Sequence, residues 1–90
     1  MIVTEIYYNE KFEKQFAKLS SQIQELAARK EEIFRINPFH PSLRFHQLKG
    51  KLVGHFSISI NKSFRIILKR ETNGVIIFLS IGKHDIYQNL

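Results

Sequence analysis

The chain predicts an α+β fold of order β-α-α-β-β-β, a helical hairpin packed on one face of a small, mainly antiparallel sheet. Three observations predict it. Apolar residues recur at helical spacing through Phe12, Phe16, Leu19, Ile23 and Leu26. From Phe56 onward the period changes to two. Asn73-Gly74, a strong hairpin signal, then separates two strand-like runs. Ninety residues point to one domain, 1–90, and a chain of that size buries roughly 60–65% of its unfolded surface, enough for one modest core.

Each element has its own signal. Ile2 to Tyr8 is rich in β-branched and aromatic residues and reads as a strand. Asn9 can cap a helix beginning at Glu10. Ser20-Ser21 interrupts the helical run, and Ser21 with Gln24 has capping-box spacing, so two helices are expected, about 10–19 and about 22–36. Phe12, Phe16, Ile23 and Leu26 form the stripe that should face the sheet. Asn37-Pro38 ends the second helix, because the residue before proline avoids the α region, and Pro41 keeps the chain in a loop. Phe56, Ile58 and Ile60 then point one way, with His55, Ser57 and Ser59 opposite. After a turn at Asn61-Lys62-Ser63, Phe64, Ile66 and Leu68 take the apolar side and Arg65 and Lys69 the polar side. Val75 to Ile81 is nearly all apolar, as expected of a strand covered on both faces. Gly82 stops it, and Asp85 to Leu90 is a short, mostly polar tail with room for one helical turn.

Composition narrows the class. A hydrophobic fraction of 43% with eight Phe argues against a disordered tail. Without cysteine there is no disulfide framework and no thiolate chemistry, which suits a reducing cytoplasm. No apolar run approaches the ~18 residues of a membrane span. The first residues lack the pattern of a signal peptide. A cytoplasmic protein with no membrane partner is expected.

Charge is unevenly spread. Between Glu32 and Glu71 there is no acidic residue, yet this stretch holds eight of the 14 basic ones: Arg35, Arg44, Lys49, Lys51, Lys62, Arg65, Lys69 and Arg70. It also holds His40, His46 and His55. A positive field of this kind attracts phosphate, and histidines within it can move protons near neutral pH. Arg65 and Lys69, beside Ser57 and Ser59, should form an uncovered, cationic sheet face.

RNA cleavage needs no metal, because the ribose 2′-hydroxyl can attack its own phosphate. The protein must supply a base, a cation for the phosphorane and an acid for the departing 5′ oxygen. Histidine serves as base or acid, and arginine suits phosphate because its fork donates two parallel bonds. The chain offers His46 before the sheet, Arg65 in mid-strand and His84 just past the last strand. His40, His46 and His55 are not spaced like a structural zinc site, and Asp85 is the only aspartate, so no metal and no cofactor are expected.

The segments His46-Gln47-Leu48-Lys49-Gly50, Gly54-His55-Phe56-Ser57-Ile58, Phe64-Arg65-Ile66-Ile67 and Ser80-Ile81-Gly82-Lys83-His84-Asp85-Ile86-Tyr87 together resemble the RelE/ParE superfamily of bacterial toxins, most of all its RelE and YafQ branches. The resemblance covers the whole chain. It implies the toxin of a type II toxin–antitoxin pair, an endoribonuclease that cuts messenger RNA on the ribosome by the 2′-hydroxyl route. His46 matches the histidine of the YafQ-type HxLxG motif, a proposed acid/base group. Arg65 matches the RelE-type arginine at the scissile phosphate, and His84 the YafQ C-terminal histidine. Tyr87 matches an aromatic that stacks on or orients the RNA. Lys49, Lys51, Lys62, Lys69 and Lys83 become the candidate RNA-backbone contacts. The implied partners are a cognate acidic antitoxin and the message on the ribosome, the toxin being a monomer within the toxin–antitoxin complex.

The chain also departs from both branches. Ser57 and Ser59 stand where RelE carries two lysines. Ser59 and Ser63 replace a YafQ histidine and aspartate, and Ser80 replaces a YafQ arginine. Two alternatives follow, a ParE-like toxin acting on DNA gyrase without nuclease residues, and a non-catalytic family member still bound by its antitoxin.

Overall fold

The computed structural model describes residues 1–88, so the expected tail over 85–90 is described only as far as Gln88. The elements are β1 (Glu5–Tyr8), α1 (Glu10–Ala17), α2 (Ser21–Ile36), β2 (His46–Gln47), β3 (His55–Ser59), β4 (Arg65–Arg70) and β5 (Val75–Gly82). The sheet runs β1-β5-β4-β3-β2, with β1 parallel to β5 and the remaining pairs antiparallel. The α+β fold and its helical hairpin are as the sequence predicts. The extra strand, β2, is not: His46 lies within the sheet rather than before it. Two residues are too few to show a period.

The caps explain the helix boundaries. Asn9 Oδ1 accepts from the Phe12 N–H at 2.8 Å. The second cap is Ser20, whose Oγ accepts from the Ile23 N–H, so the expected capping box at Ser21 does not form. Gln24 instead donates its side-chain amide to the Phe16 carbonyl at 2.9 Å, tying the two helices together. After Ile36, Asn37 turns extended ahead of Pro38, as proline demands.

The first strand begins at Glu5 rather than Ile2, which is 80% exposed. Its partner starts only at Val75, so there is nothing for residues 2 and 3 to pair with. The turn before Val75 puts both Asn73 (φ 59) and Gly74 (φ 78) in the left-handed region, the demand that an Asn-Gly pair meets. A Cβ on Gly74 would come within 2.2 Å of the Ile2 carbonyl oxygen, so glycine is required there for space as well.

The main core lies between hairpin and sheet. Phe34 and Phe78, both fully buried, stand with ring centroids 6.0 Å apart. Phe12 meets Phe78 at 5.5 Å, and Phe16 and Leu26 pack partly buried around them. A β-bulge between the pairs Ile67↔Ser80 and Leu68↔Phe78 leaves Leu79 as the extra residue. It resets the alternation, so Phe78 and Ile81 both reach the helix-side core although they are three apart. Thus β5 is central because it has a neighbour on each edge; Ile77 and Leu79 are only half-buried, not covered as the apolar run suggested. Where β1 ends, Gln15 of α1 takes over, its Oε1 accepting from Ser80 Oγ and the Ile81 N–H, both at 2.9 Å. We expect Phe34→Ala to cost about 3–5 kcal/mol, because the cavity it leaves sits beneath neighbouring rings and cannot collapse. Urea unfolding measures this, and a loss under ~1 kcal/mol would contradict it.

No helix among the described residues is long and apolar enough to cross a membrane.

Candidate active site

Paired residues in a sheet share a face. The pairs His46↔Ser57↔Ile67, Ser59↔Arg65↔Gly82 and His55↔Lys69 therefore line the face turned away from the hairpin, while Ser80, opposite Ile67 beside the bulge, gives its hydroxyl to Gln15 of α1. The sequence predicts that this face is uncovered. It is not: Ser57 and Ile67 are 0% exposed. A 3₁₀ turn, His84–Tyr87, folds back over it. Ile86 is 3% exposed, and a Cβ on Gly82 would stand 2.7 Å from Ile86 Cγ2. Gly82 thus ends the strand and makes room for the cover. Ile67 and Ile86 are both buried outside the helix-side core, which gives this face a small apolar floor of its own.

Polar groups ring that floor. The Tyr87 hydroxyl lies 3.1 Å from Ser57 Oγ. Ser57 in turn pairs with His46, so Tyr87 and His46 converge on one sheet position. The His84 ring is tilted against Tyr87 at 5.5 Å between centroids, and His84 itself is exposed. His46 Nδ1 is 2.7 Å from the Arg44 carbonyl oxygen. A carbonyl only accepts, so Nδ1 carries the hydrogen, and in the neutral ring Nε2 is left with a lone pair. A histidine so held is oriented as a base.

Arg65 is half-buried two residues from Ile67 on the same face. Its Nη1 donates to the carbonyls of Asn61 and, at 3.0 Å, of Phe64. Asn61 Oδ1 fixes that turn by accepting from the N–H groups of Ser63 and Phe64, each at 2.8 Å. Carbonyl bonds hold the guanidinium without neutralising it. No ion pair involves Arg65 among the described residues. Nη2 and Nε remain as donors for a ligand.

The lysines are scattered by comparison. Lys49 and Lys51 sit exposed in the connection from β2 to β3, and Lys62 in the β3–β4 turn. Lys69 faces Glu71 at 3.9 Å, so its charge is partly answered. Lys83 Nζ lies 5.5 Å from the Phe64 ring centroid. The structure thus gathers His46, Tyr87 and His84 through Ser57, sets Arg65 on the same face, and leaves the five lysines around it. Two supporting residues carry no signal of that role in the sequence. Ser57 anchors Tyr87 across 30 positions of sequence, and Arg44 anchors His46 through a backbone atom, which no side-chain pattern records. Among the described residues no three His, Asp or Glu side chains converge as a metal-binding set.

Comparison with known proteins agrees with this architecture. The family model of HigB-like toxins, the RelE-like toxin of the type II toxin–antitoxin system HigB, matches residues 5–84. The chain belongs to that family and is a type II toxin of the RelE-like fold. It is similar to a YoeB/ParE toxin from Agrobacterium tumefaciens, with a TM-score of 0.76 and 14% identity over 90% of this chain and 99% of that one. It is also similar to a chain of the toxin–antitoxin complex RelBE2 from Mycobacterium tuberculosis (TM-score 0.76, 13% identity, 92% and 100% covered). YafQ from E. coli superposes with a TM-score of 0.72 at 17% identity, over 91% and 94% of the two chains. At such identities these likenesses concern the fold. Among curated protein sequences none matches this chain significantly.

Proposed function

We propose that this toxin is an endoribonuclease that cleaves messenger RNA on the ribosome by metal-free 2′-hydroxyl attack. The observation that carries the reading is the register His46↔Ser57 combined with the Ser57–Tyr87 bond, on the face that also holds Arg65. A proton acceptor, an aromatic and an unneutralised cation on one surface match what the reaction needs.

In this reading His46 Nε2 takes the proton of the ribose 2′-hydroxyl, and the oxygen attacks the adjoining phosphorus. Arg65 stabilises the charge that gathers on the phosphorane oxygens. The bond from phosphorus to the 5′ oxygen breaks, and His84 gives that oxygen a proton. The products are a 2′,3′-cyclic phosphate and a 5′-hydroxyl. Tyr87, steadied by Ser57, presents its ring to a base of the message. Lys49, Lys51, Lys62, Lys69 and Lys83 attract the RNA backbone around this centre.

The test is expression in cells with primer extension on a reporter message. Growth arrest with cuts inside translated messages supports the reading. Arrest with intact messages and poisoned DNA gyrase would replace it with the ParE-like alternative.

The partner follows from the charge. The net charge is +6, so we propose a cytoplasmic complex with an acidic antitoxin segment that lies across the cationic face or displaces the turn at His84–Tyr87. Its association rate should drop steeply as salt rises, because long-range attraction speeds the encounter and ions screen it. Stopped-flow mixing measures this. A rate indifferent to salt would contradict it.

A further inference from the structure

Arg65 also lines a cleft of about 390 Å³ that it shares with a residue of α2. Lys30, Arg44, Lys62 and Arg65 line it, together with Ser42 and Asn61. No carboxylate lines it, and none of the four cations takes part in an ion pair among the described residues. Lys30 is contributed by α2, Arg44 by the loop ahead of β2, and Lys62 and Arg65 by the β3–β4 turn and the strand after it. Three separate segments therefore converge their positive charge on one hollow, which like charges do only at a cost in repulsion.

A second observation points to a ligand. The Ser42 hydroxyl oxygen is buried and has no hydrogen-bond partner within the protein. Buried polar groups are almost always paired, so an unpaired hydroxyl on a residue that lines this cationic cleft can turn about its Cα–Cβ bond to donate to an incoming anion. Ser42 is held in place independently of that hydroxyl, since its N–H donates to His40 Nδ1 at 3.1 Å. The wall of the cleft also reaches the candidate base: the carbonyl of Arg44 is the acceptor for His46 Nδ1.

We propose that this cleft is a second phosphate subsite, which takes the backbone phosphate next along the RNA strand from the one at Arg65. The proposal rests on the reading of Arg65 as the cation at the scissile phosphate. It adds a register: one phosphate reacts, and the next is clamped by Lys30, Arg44, Lys62 and the Ser42 hydroxyl. Fixing two successive phosphates would align the 2′-hydroxyl between them for attack, which is where positioning contributes most.

The probe is a short RNA with every 2′-hydroxyl methylated, which binds but cannot be cut. Its binding is therefore independent of whether Arg65 catalyses anything. In the wild type, titration should shift the amide signals of Ser42 and Asn61. The double variant Lys30→Gln/Arg44→Asn should weaken binding roughly tenfold or more. Asparagine is chosen because Arg44 sits at φ 47, where it is better tolerated than alanine. The slope of log affinity against log salt should become shallower by about 0.7, because one phosphate fewer is neutralised. Ser42→Ala should weaken binding roughly three- to tenfold while its thermal midpoint stays level or rises, because it removes a hydroxyl that folding leaves unpaired. A merely structural serine would move the midpoint instead. Unchanged binding by both variants would overturn the proposal, whatever the fate of cleavage in Arg65→Ala. Shifts at Ser42 and Asn61 with inorganic phosphate but not with the RNA would also overturn it, as they would mark a site for a free anion.

Discussion

Arg65→Ala is expected to reduce message cleavage roughly 100–1000-fold, the usual cost of removing one donor that stabilises developing charge. The fold should survive. Arg65 is half-buried, and its side chain bonds only to carbonyls of its own turn. Those carbonyls keep other donors when the guanidinium is gone, Ser59 Oγ to Asn61 at 3.1 Å and the Ile60 N–H to Phe64 at 2.9 Å, and Asn61 Oδ1 still holds the turn through two backbone N–H groups. Arg65→Lys should recover little, because an ammonium cannot reproduce two parallel bonds to phosphate. The measurement is primer extension during translation, beside circular dichroism and a melting curve for each variant. An unfolded Arg65→Ala would contradict the surface role given to this side chain. A folded variant that cuts normally would remove Arg65 from the mechanism.

What was legible in the sequence, and what was not, divides by the range of the interaction. The helices were readable because Asn9, Ser20 and the apolar spacing act within a few residues. The hairpin was readable because Asn73-Gly74 alone satisfies its backbone. The cover over the polar strand face is not legible in the sequence for a reason of distance. Alternation told which side Ser57 is on, but not that Ile86, folding back over Gly82, would cover it. The serines that replace charged residues of the related toxins look different once the cover is known. Ser57 is buried and holds Tyr87, and Ser80 is buried and holds Gln15. A charged side chain at either position would need a partner or an opening to water. The small size of Ser57 belongs to a face that is closed by its own C-terminal turn, and that of Ser80 leaves room for Gln15 of α1.

The two histidines should separate by the leaving group each variant can still expel as well as by rate. His46→Ala should lower cleavage roughly 100–10,000-fold, the range for losing a positioned proton-transfer group, and His84→Gln should do the same. Neither loss should unfold the chain, since both residues are exposed. A message with sulfur in place of the bridging 5′ oxygen at the cut tells them apart, because a thiolate leaves without taking a proton. That message should restore cleavage to His84→Gln and not to His46→Ala. The Nδ1 bond to the Arg44 carbonyl is the reason for giving His46 the base role, since it leaves Nε2 as the acceptor. The exposed His84 has no such bond among those described, and a ring on a surface turn can reach the leaving oxygen from solvent. Single-turnover cleavage on purified translating ribosomes, with the oxygen and sulfur messages side by side, measures this. If sulfur rescues His46→Ala instead, the two roles are exchanged, with Tyr87 and Ser57 still between them. If neither variant changes the rate, the proton transfers belong to other groups, and the cation at Arg65 is all that this face contributes to the reaction.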